Sequence, residues 1–353
     1  KTLKKRFSTP RRTRLIEGGD MLVAERAASQ RPNTELLRQQ ALSALPSDAR
    51  LLIQADAQVK VVSPQVLGRL HLHEASELGD DPGPARLILP IEPPPRLLAI
   101  SAAGRVAMIR WEFAGQQPGA LERFLPTALD HDPIIGIECL PANDDPKLSL
   151  GLLSSDGRFK RLPLSDVLDL SGRATSVVKL KEGVQLKAAM ICRDQSNLLL
   201  VTDIGRALRL PVNESCLPLM GRLAQGPMTL RLLPDEAIAG GISLDRPDDA
   251  SNDPDSVIVV TRQGRLTRID LGALQPCWRG DLGRMLVKLD HENDRIKAIA
   301  LGHGLVGVTT NARRHSRLMA ADLELKGLAE SFATHLPLRQ DERIEELVPL
   351  IKD

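Results

Sequence analysis

Arginine recurs at one position of this sequence, directly after short turns that separate two apolar segments. The arginines that follow these turns are Arg105, Arg158, Arg206, Arg265 and Arg313. Three or four residues further on, most copies carry a second one: Arg161, Arg209, Arg268 and Arg317. Guanidinium groups bind phosphate oxygens in a bidentate manner, so a regular array of them predicts contact with a polyanion such as a nucleic-acid backbone.

The segments that carry these arginines predict β-hairpins. In Val257–Ile269, β-branched residues lead into a Gln-Gly turn and a second strand-like segment follows. Glycine suits such a turn because it accepts the positive φ of two-residue hairpin loops. If positions 57, 104, 157, 205, 264 and 312 are taken as equivalent, the spacings are 47, 53, 48, 59 and 48 residues. Six copies at this period predict a propeller or a related repeat fold.

Each repeat has a second landmark, an acidic or polar turn that leads into another apolar strand. Copies begin at Asp132, Asp235, Asn293 and Asp341. About four strands per repeat, in six repeats, predict an all-β ring that closes on itself and leaves no exposed sheet edge. We therefore predict a basic, partly helical linker over residues 1–46, with a helix over Thr34–Leu45, and a six-repeat domain over residues 47–353. The predicted repeats are roughly 49–95, 96–146, 147–195, 196–250, 255–303 and 304–353.

Composition places the chain among ordinary water-soluble proteins. Hydrophobic residues make up 42% and charged residues 26% of the 353 positions, and no apolar run approaches the length of a membrane span. Residues 1–38 hold ten bases and four acids, whereas the remainder holds 37 bases and 41 acids. Four widely separated cysteines predict free thiols rather than a disulfide framework or a zinc site. The first residue is Lys1, which fits a fragment of a longer polypeptide.

The sequence predicts binding rather than catalysis. It has neither a phosphate-binding loop of the G-x-x-x-x-G-K-[S/T] type nor a G-x-S-x-G nucleophile elbow. His71 and His73 could share one face of a strand, but no third metal ligand lies at a telling spacing. Aromatic residues make up only 2%, which disfavours single-stranded nucleic acid, and no recognition helix is apparent. Duplex DNA held by its phosphates remains.

Residues 48–353 resemble the C-terminal domain of the A subunits of bacterial type IIA topoisomerases, DNA gyrase and topoisomerase IV. The resemblance rests on the six strand–turn–Gly-Arg–strand copies and on the strands that begin D-E-x-I-x-x-I. It also rests on Met220–Gly226, which is similar to the family's G-R-x-x-x-G connectors. Upstream, Phe7–Thr13 is similar to the segment where the family's catalytic core ends.

The resemblance implies a six-bladed β-pinwheel, a propeller variant whose blades exchange strands, which wraps duplex DNA and presents it for strand passage. DNA cleavage requires a tyrosine and this chain has none, so it is not expected to be an enzyme by itself. The implied partners are duplex DNA, the catalytic core and an ATPase B subunit, in the bacterial cytoplasm at the nucleoid and without a membrane. ATP and magnesium are expected only in the rest of the holoenzyme. The predicted DNA-binding residues are Arg105, Arg158, Lys160, Arg161, Arg206, Arg209, Arg222, Arg265, Arg268, Arg279, Arg284, Arg313, Arg314 and Arg317.

One departure from the family bears on activity. Gyrases carry a Q-R-R-G-G-K-G-type box in the outer loop of the first blade, and the matching stretch, Leu67–Pro84, has nothing basic after Arg69. The nearest similar stretch is Gln275–Arg284, in the fifth repeat. We therefore expect a protein similar to topoisomerase IV or a divergent gyrase. The alternatives are a propeller that serves as a protein-interaction scaffold and a stand-alone DNA-architectural protein.

Overall fold

A computed structural model describes residues 34–69, 75–80, 83–168, 170, 173–245 and 255–350. Contacts divide the chain into two units, Lys1–Ala44 and Leu45–Asp353. The first unit contains helix α1, Thr34–Ser43, so the helix predicted over Thr34–Leu45 is present and ends two residues earlier. The second unit contains all of the strands that follow.

The strands of the second unit are short and regularly spaced. The first twelve are β1 Arg50–Gln54, β2 Gln58–Val62, β3 Ala75–Gly79, β4 Ala85–Pro90, β5 Arg96–Ser101, β6 Arg105–Met108, β7 Gly119–Ala120, β8 Ile134–Leu140, β9 Leu148–Ser154, β10 Phe159–Pro163, β11 Thr175–Ser176 and β12 Leu186–Arg193. The others are β13 Asn197–Thr202, β14 Arg206–Pro211, β15 Ile238–Ser243, β16 Ser256–Thr261, β17 Arg265–Asp270, β18 Arg284–Met285, β19 Ile296–Leu301, β20 Leu305–Thr310, β21 His315–Met319, β22 Leu325–Lys326, β23 Thr334–His335 and β24 Ile344–Leu350. Two short helices, α2 Pro64–Arg69 and α3 Ser165–Leu168, lie between strands, as do 3-10 turns at Trp111–Gly115, Leu121–Phe124, Thr127–Leu129 and Ala320–Asp322.

Within the described residues the strands form six small sheets, one per repeat, which we call blades 1 to 6. Each blade pairs a hairpin with a third strand of the same repeat, as in β15-β13-β14 of blade 4 and β19-β16-β17 of blade 5. We call the stretch between the second and third strands of a repeat its connector; the six connectors are residues 63–84, 109–133, 164–185, 212–237, 271–295 and 320–343. The predicted all-β, six-bladed architecture is confirmed.

Neighbouring blades exchange strands. Strand β18, from the connector of repeat 5, pairs with β14 of blade 4, and β11, from the connector of repeat 3, pairs with β6 of blade 2. Strand β3, from the connector of repeat 1, completes blade 6 by pairing with β21, so the exchange closes the ring. Every connector therefore covers the outer edge of the preceding blade. Connector side chains, rather than hairpin side chains, form the surface there that a ligand could contact.

The hairpin turns require a left-handed residue at one position. Gly104, Gly157, Gly205 and Gly264 occupy it with φ between 77° and 95°. In blade 6 the residue is Arg313, with φ 59°, rather than Ala312, so the equivalence drawn from the sequence was wrong by one position there. In each case the backbone N–H of this residue donates to the carbonyl three residues earlier.

The apolar core lies between the blades, because the central strand of each hairpin is covered on both faces. Val257 and Val259 of β16 pack with blade 4, whereas Ile258 and Val260 pack with blade 6. Successive side chains of a strand point to opposite faces, so an unbroken β-branched run suits a strand between two neighbours. The third strands line a central channel of about 590 Å³, and a second cavity of about 420 Å³ lies between blades 1 and 2.

Candidate nucleic-acid interface

The arginines that follow the hairpin turns are paired with acids of the chain itself. Arg105 Nη2 lies 3.0 Å from Asp132 Oδ2, Arg265 Nη1 lies 2.6 Å from Asp290 Oδ2, and Arg314 Nη1 lies 2.7 Å from Glu342 Oε2. Arg158 pairs with Asp156, and Arg206 makes a two-pronged contact with Glu236. In blade 6 the paired residue is Arg314, because Arg313 occupies the left-handed turn position.

In three blades the acidic partner belongs to the second landmark of the repeat. Asp132, Glu236 and Glu342 lie immediately upstream of the third strands β8, β15 and β24. In blades 2, 4 and 6 the recurring arginine and the recurring acid of the sequence therefore form one ion pair, whereas Arg158 of blade 3 pairs with Asp156 of its own turn. Burial would raise the pKa of Glu236, but hydrogen bonds from Arg206, Leu233 and Thr202 outweigh it and hold the pKa below its ordinary value. The pKa of Glu342 is lowered by the same balance.

The second arginine of each hairpin also points inward. Arg161 is 2% exposed, and its guanidinium donates to Leu217 O at 2.9 Å and to Ser149 Oγ at 3.1 Å. Arg268 donates to Ser256 Oγ at 3.0 Å, and Arg209 lies 3.1 Å from Asp255 Oδ2. Arg317 is 2% exposed. Arg161, Arg209 and Arg268 each also donate to a carbonyl of the connector that crosses their hairpin, at Leu217, Leu271 and Ala320 respectively, which is a structural role.

Lys160 is buried as well. Its Nζ donates to the carbonyls of Val177, at 2.5 Å, and Arg222, at 2.6 Å. Burial lowers the pKa of Lys160 to about 8, against the opposing charge of Asp166. Apart from Arg313, the cations predicted along the hairpins are therefore engaged inside the domain, by connector carboxylates and carbonyls and by groups of the hairpins themselves.

Four of the predicted residues do face solvent. Arg222, Arg284 and Arg313 are exposed and Arg279 is half-buried. Their guanidinium groups make no hydrogen bond or ion pair with the residues that the structure describes. Three of them, Arg222, Arg279 and Arg284, lie in the connectors that cover blades 3 and 4. These three are the best candidates for contact with an external anion.

Equivalent backbone contacts place Arg222 and Arg279 at matching points of neighbouring blades. The N–H of Met220, two residues before Arg222, donates to Arg161 O at 2.9 Å, and the N–H of Cys277, two residues before Arg279, donates to Arg209 O at 2.7 Å. Gly226 and Gly283 follow at the same interval, with φ of 81° and 76°. A Cβ at Gly283 would lie 2.3 Å from Ala207 O, so glycine allows the loop to approach the blade. We call residues 219–228 and 277–285 the outer loops of blades 3 and 4.

Further exposed cations lie along the outer edges of blades 2 to 4, which we call the arc, and the sequence analysis did not identify them. In the connectors that cover blades 2 to 4 they are Arg173, Lys179, Lys181, Arg231 and Lys288, and their side chains lack partners among the described residues. The signal that could have found them is the charge of the connectors. Those covering blades 2 to 4 contain nine bases and ten acids, whereas those covering blades 5, 6 and 1 contain six bases and thirteen acids.

The described residues contain no cluster of three or more His, Cys, Asp or Glu that could hold a metal ion; His71 and His73 lie outside them. The four cysteines are free thiols, of which Cys192 and Cys216 are buried, Cys277 is half-buried and Cys139 is exposed. No helix in the described ranges is long and apolar enough to cross a bilayer. The described surface carries unpaired cations in its outer loops.

Comparison with known proteins places this ring in a class. Residues 152–193 and 196–245 match the family model of the DNA gyrase C-terminal domain, a β-propeller. Over 86% of this chain and 93% of the other, the fold is similar to the C-terminal domain of DNA topoisomerase IV, with a TM-score of 0.68 and 16% identity. The DNA gyrase A C-terminal domain gives a TM-score of 0.66 at 15% identity, over 85% of this chain and 98% of the other. The ring is a six-bladed β-pinwheel, as the resemblance implied.

Among curated proteins, the A subunit of DNA topoisomerase 4 from Synechocystis is 27% identical over 44% of this chain and 17% of its own length. The DNA gyrase A subunit of Mycolicibacterium smegmatis is 26% identical over 40% of this chain and 16% of its own, and that of Rickettsia prowazekii is 25% identical over 39% and 15%. The chain thus spans about a sixth of the relatives it matches. Its predicted resemblance to the C-terminal domain of type IIA topoisomerase A subunits is confirmed.

Proposed function

We propose that this chain is the non-catalytic DNA-binding domain in the A subunit of a type IIA topoisomerase and holds duplex DNA against the outer edges of blades 2 to 4. The observation that carries the proposal is the matched pair of solvent-facing arginines, Arg222 and Arg279, in equivalent outer loops. Guanidinium groups with no internal partner lose little by binding phosphate, whereas those engaged within a blade would have to give up an ion pair.

The proposal changes the expected DNA path. Blade hairpins supply the fold, and the connectors supply the contacts. The arc holds eight cations without a partner among the described residues, seven of them exposed and Arg279 half-buried: Arg173, Lys179, Lys181, Arg222, Arg231, Arg279, Arg284 and Lys288. Bending a duplex of 20–30 base pairs costs on the order of 1–6 kcal/mol, and a set of contacts of this size can offset it. Arg313 lies in the blade 6 hairpin, outside this arc.

The remaining parts of the proposal follow from the relatives. Relatives named as topoisomerase 4 and gyrase subunits suggest two partners, a catalytic core and an ATPase B subunit, and the cytoplasm with its nucleoid as the location. This domain would need no cofactor of its own, and ATP and magnesium would act elsewhere in the holoenzyme. We propose that this domain supports topological change in DNA by holding the duplex in position, and that it does not cleave DNA itself.

Binding of the chain to a duplex of about 40 base pairs, measured across a salt series, tests the proposal. The triple variant Arg222→Ala/Arg279→Ala/Arg284→Ala should bind more weakly and reduce the slope of log affinity against log salt by about 2–3, because each lost phosphate contact removes about 0.9. The matched control is Arg262→Ala/Arg339→Ala/Arg343→Ala, which removes three exposed arginines outside the arc and should leave the slope unchanged.

Three outcomes contradict the proposal. If the chain does not bind DNA at low salt, a protein-interaction scaffold becomes the better-supported function. The exposed apolar residues of the outer loops favour this second candidate. Binding that survives the outer-loop variant but is lost when residues 1–33 are removed would move the DNA site to the basic N-terminal segment. An equal effect of the control variant would show that only overall charge matters.

A further inference from the structure

Large apolar side chains are concentrated at the same outer edge as the free arginines. Of the eleven large apolar residues that are exposed in the described part of the chain, seven lie in the connectors of repeats 4 and 5. They are Leu219, Leu223, Met228, Leu233, Trp278, Leu282 and Met285. Phosphate binding alone does not require such residues, and clustered apolar exposure marks a contact surface.

Trp278 is the most informative member of this group. It is 57% exposed, whereas the chain's other tryptophan, Trp111, is fully buried and donates its indole N–H to Pro95 O at 2.8 Å. Trp278 immediately precedes Arg279, and Arg284 follows in the same loop. An exposed indole in the same loop as two unpaired guanidinium groups is suited to a ligand that is both anionic and partly apolar.

The backbone holds this indole outward. The N–H of Cys277 donates to Arg209 O and the N–H of Gly280 donates to Thr229 O, each at 2.7 Å. The Asp281 carboxylate accepts the N–H of Gly283 at 3.0 Å, and Asp281 O accepts the N–H of Arg231 at 3.0 Å. Because the backbone is anchored on both sides of Trp278, to blade 4 at Arg209 and to the connector of repeat 4 at Thr229, little conformational entropy remains to be lost when the loop meets a ligand.

We propose that Trp278 packs against the deoxyribose wall of a minor groove while Arg279 and Arg284 engage the flanking phosphates. The inference rests on the proposed function and deepens it, because it names the part of the duplex that the blade 4 outer loop contacts. The DNA backbone presents deoxyribose carbon atoms next to phosphates, and the outer loop of blade 4 presents an indole next to guanidinium groups. Where DNA curves around a protein, the minor groove faces inward about once per helical turn and narrows there, so its sugar walls come within reach at those points.

The direction of bending argues against insertion between bases. Apolar wedges that enter the minor groove kink DNA toward the major groove, away from the surface that carries the wedge. Duplex that follows the outer edge of blades 2 to 4 must instead curve toward the protein. Contact with the groove wall is compatible with this curvature, and intercalation is not.

Fluorescence tests the inference, since Trp278 is the exposed tryptophan and Trp111 contributes a shielded background. Saturating the full chain with a duplex of about 40 base pairs at low salt should shift the Trp278 emission to the blue and reduce its acrylamide quenching constant at least about twofold. Trp278→Phe should lack this change. Trp278→Ala should weaken binding by about tenfold with an unaltered salt slope, because an apolar contact is lost and no phosphate contact. Leu325→Ala, at 40% exposure outside the arc, is the matched control and should bind normally.

The outcomes separate this inference from the proposed function. If the anisotropy of a labelled duplex shows no binding, the proposed function fails and the groove contact fails with it. If the duplex binds with the expected salt slope while Trp278 stays accessible to acrylamide and Trp278→Ala binds normally, only the groove contact is overturned, and the indole would belong to a protein interface. Near-complete quenching of Trp278 together with lengthening of the duplex would indicate intercalation and overturn it as well.

Discussion

Arg206 offers the sharpest test of whether the recurring arginines support the fold or bind DNA. Its Nε donates to Glu236 Oε1 at 2.9 Å, one Nη contacts Glu236 Oε2, and the guanidinium also bonds the carbonyls of Leu282 and Arg231. The Arg206 side chain is 9% exposed and that of Glu236 is 0% exposed. The pair joins the hairpin of blade 4 to the connectors of repeats 4 and 5.

Arg206→Met removes the cation and keeps most of the apolar volume. Glu236 would then be a buried carboxylate without its partner, for which the expected loss is about 3–5 kcal/mol of unfolding free energy. Urea unfolding at pH 7 measures this loss. The double variant Arg206→Met/Glu236→Leu should recover most of it, because replacing a whole buried pair by apolar residues is often close to neutral.

The pH dependence of the loss carries a definite sign. In the native pair the pKa of Glu236 is lowered, so its stabilising contribution is present above the ordinary glutamate pKa and is lost as pH falls through the lowered value. In Arg206→Met burial dominates and raises that pKa, so acid stabilises the variant relative to pH 7. The stability gap should therefore be smaller at pH 4 than at pH 7. Any of three results would refute a purely structural role of Arg206. These are a loss of unfolding free energy below about 1 kcal/mol, a stability gap that does not change with pH, and a reduced salt slope for DNA binding by the folded variant.

Three further predictions concern the turns and the buried lysine. Gly157→Ala should destabilise the domain by at least about 1–3 kcal/mol, because φ is 81° and a Cβ would lie 2.1 Å from Leu230 O. Gly183→Ala is the control and should lose less stability, because φ is 74° there but no atom lies within 4 Å of the added Cβ. Urea unfolding compares the two variants. Arg313→Gly should stabilise blade 6 by about 0.5–1 kcal/mol, since φ is 59° there, and a lower urea midpoint would contradict this. Burial lowers the pKa of Lys160 to about 8, so between about pH 8 and the ordinary lysine pKa the unfolded chain binds more protons than the native one, and stability should rise with pH. Lys160→Met should abolish this rise. Thermal unfolding of both proteins across this pH range measures it.

The fold was accessible from the sequence because its signals are local. The run Val257–Val260 fits a strand covered on both faces, and Gly264 fits a left-handed turn within a few residues of it. Blade 6 shows the limit of the pattern: without a glycine, the turn could be assigned to Ala312, and only the backbone identifies Arg313. Because the turn position is one residue later than the sequence indicated, the arginine equivalent to those of the other blades is Arg314, which is ion-paired, and not the exposed Arg313.

The candidate site was only partly accessible, because the fate of an arginine depends on distant groups. Glu236 lies 30 residues from Arg206, and the carbonyl of Leu217 lies 56 residues from Arg161. Periodicity gives the position of an arginine in its hairpin but not which connector crosses it. A local contact was missed as well: the N–H of Arg206 donates to Thr202 Oγ1 at 3.2 Å and stabilises the turn itself. Arg222 and Arg279 were recognised because their connectors resemble a known motif.

Net charge therefore predicts DNA affinity poorly for this fold. Residues 39–353 carry four more acids than bases, yet many of those acids neutralise arginines inside the blades. A duplex responds to charges within about a Debye length of its phosphates, roughly 10 Å at 0.1 M salt, and those charges are the ones in the connectors. The near-neutral, arginine-exposing connectors cover blades 2 to 4, and the acidic ones cover blades 5, 6 and 1. We therefore expect a bound duplex to follow about half of the ring and then leave it, so added length beyond that arc should increase neither the affinity nor the salt slope.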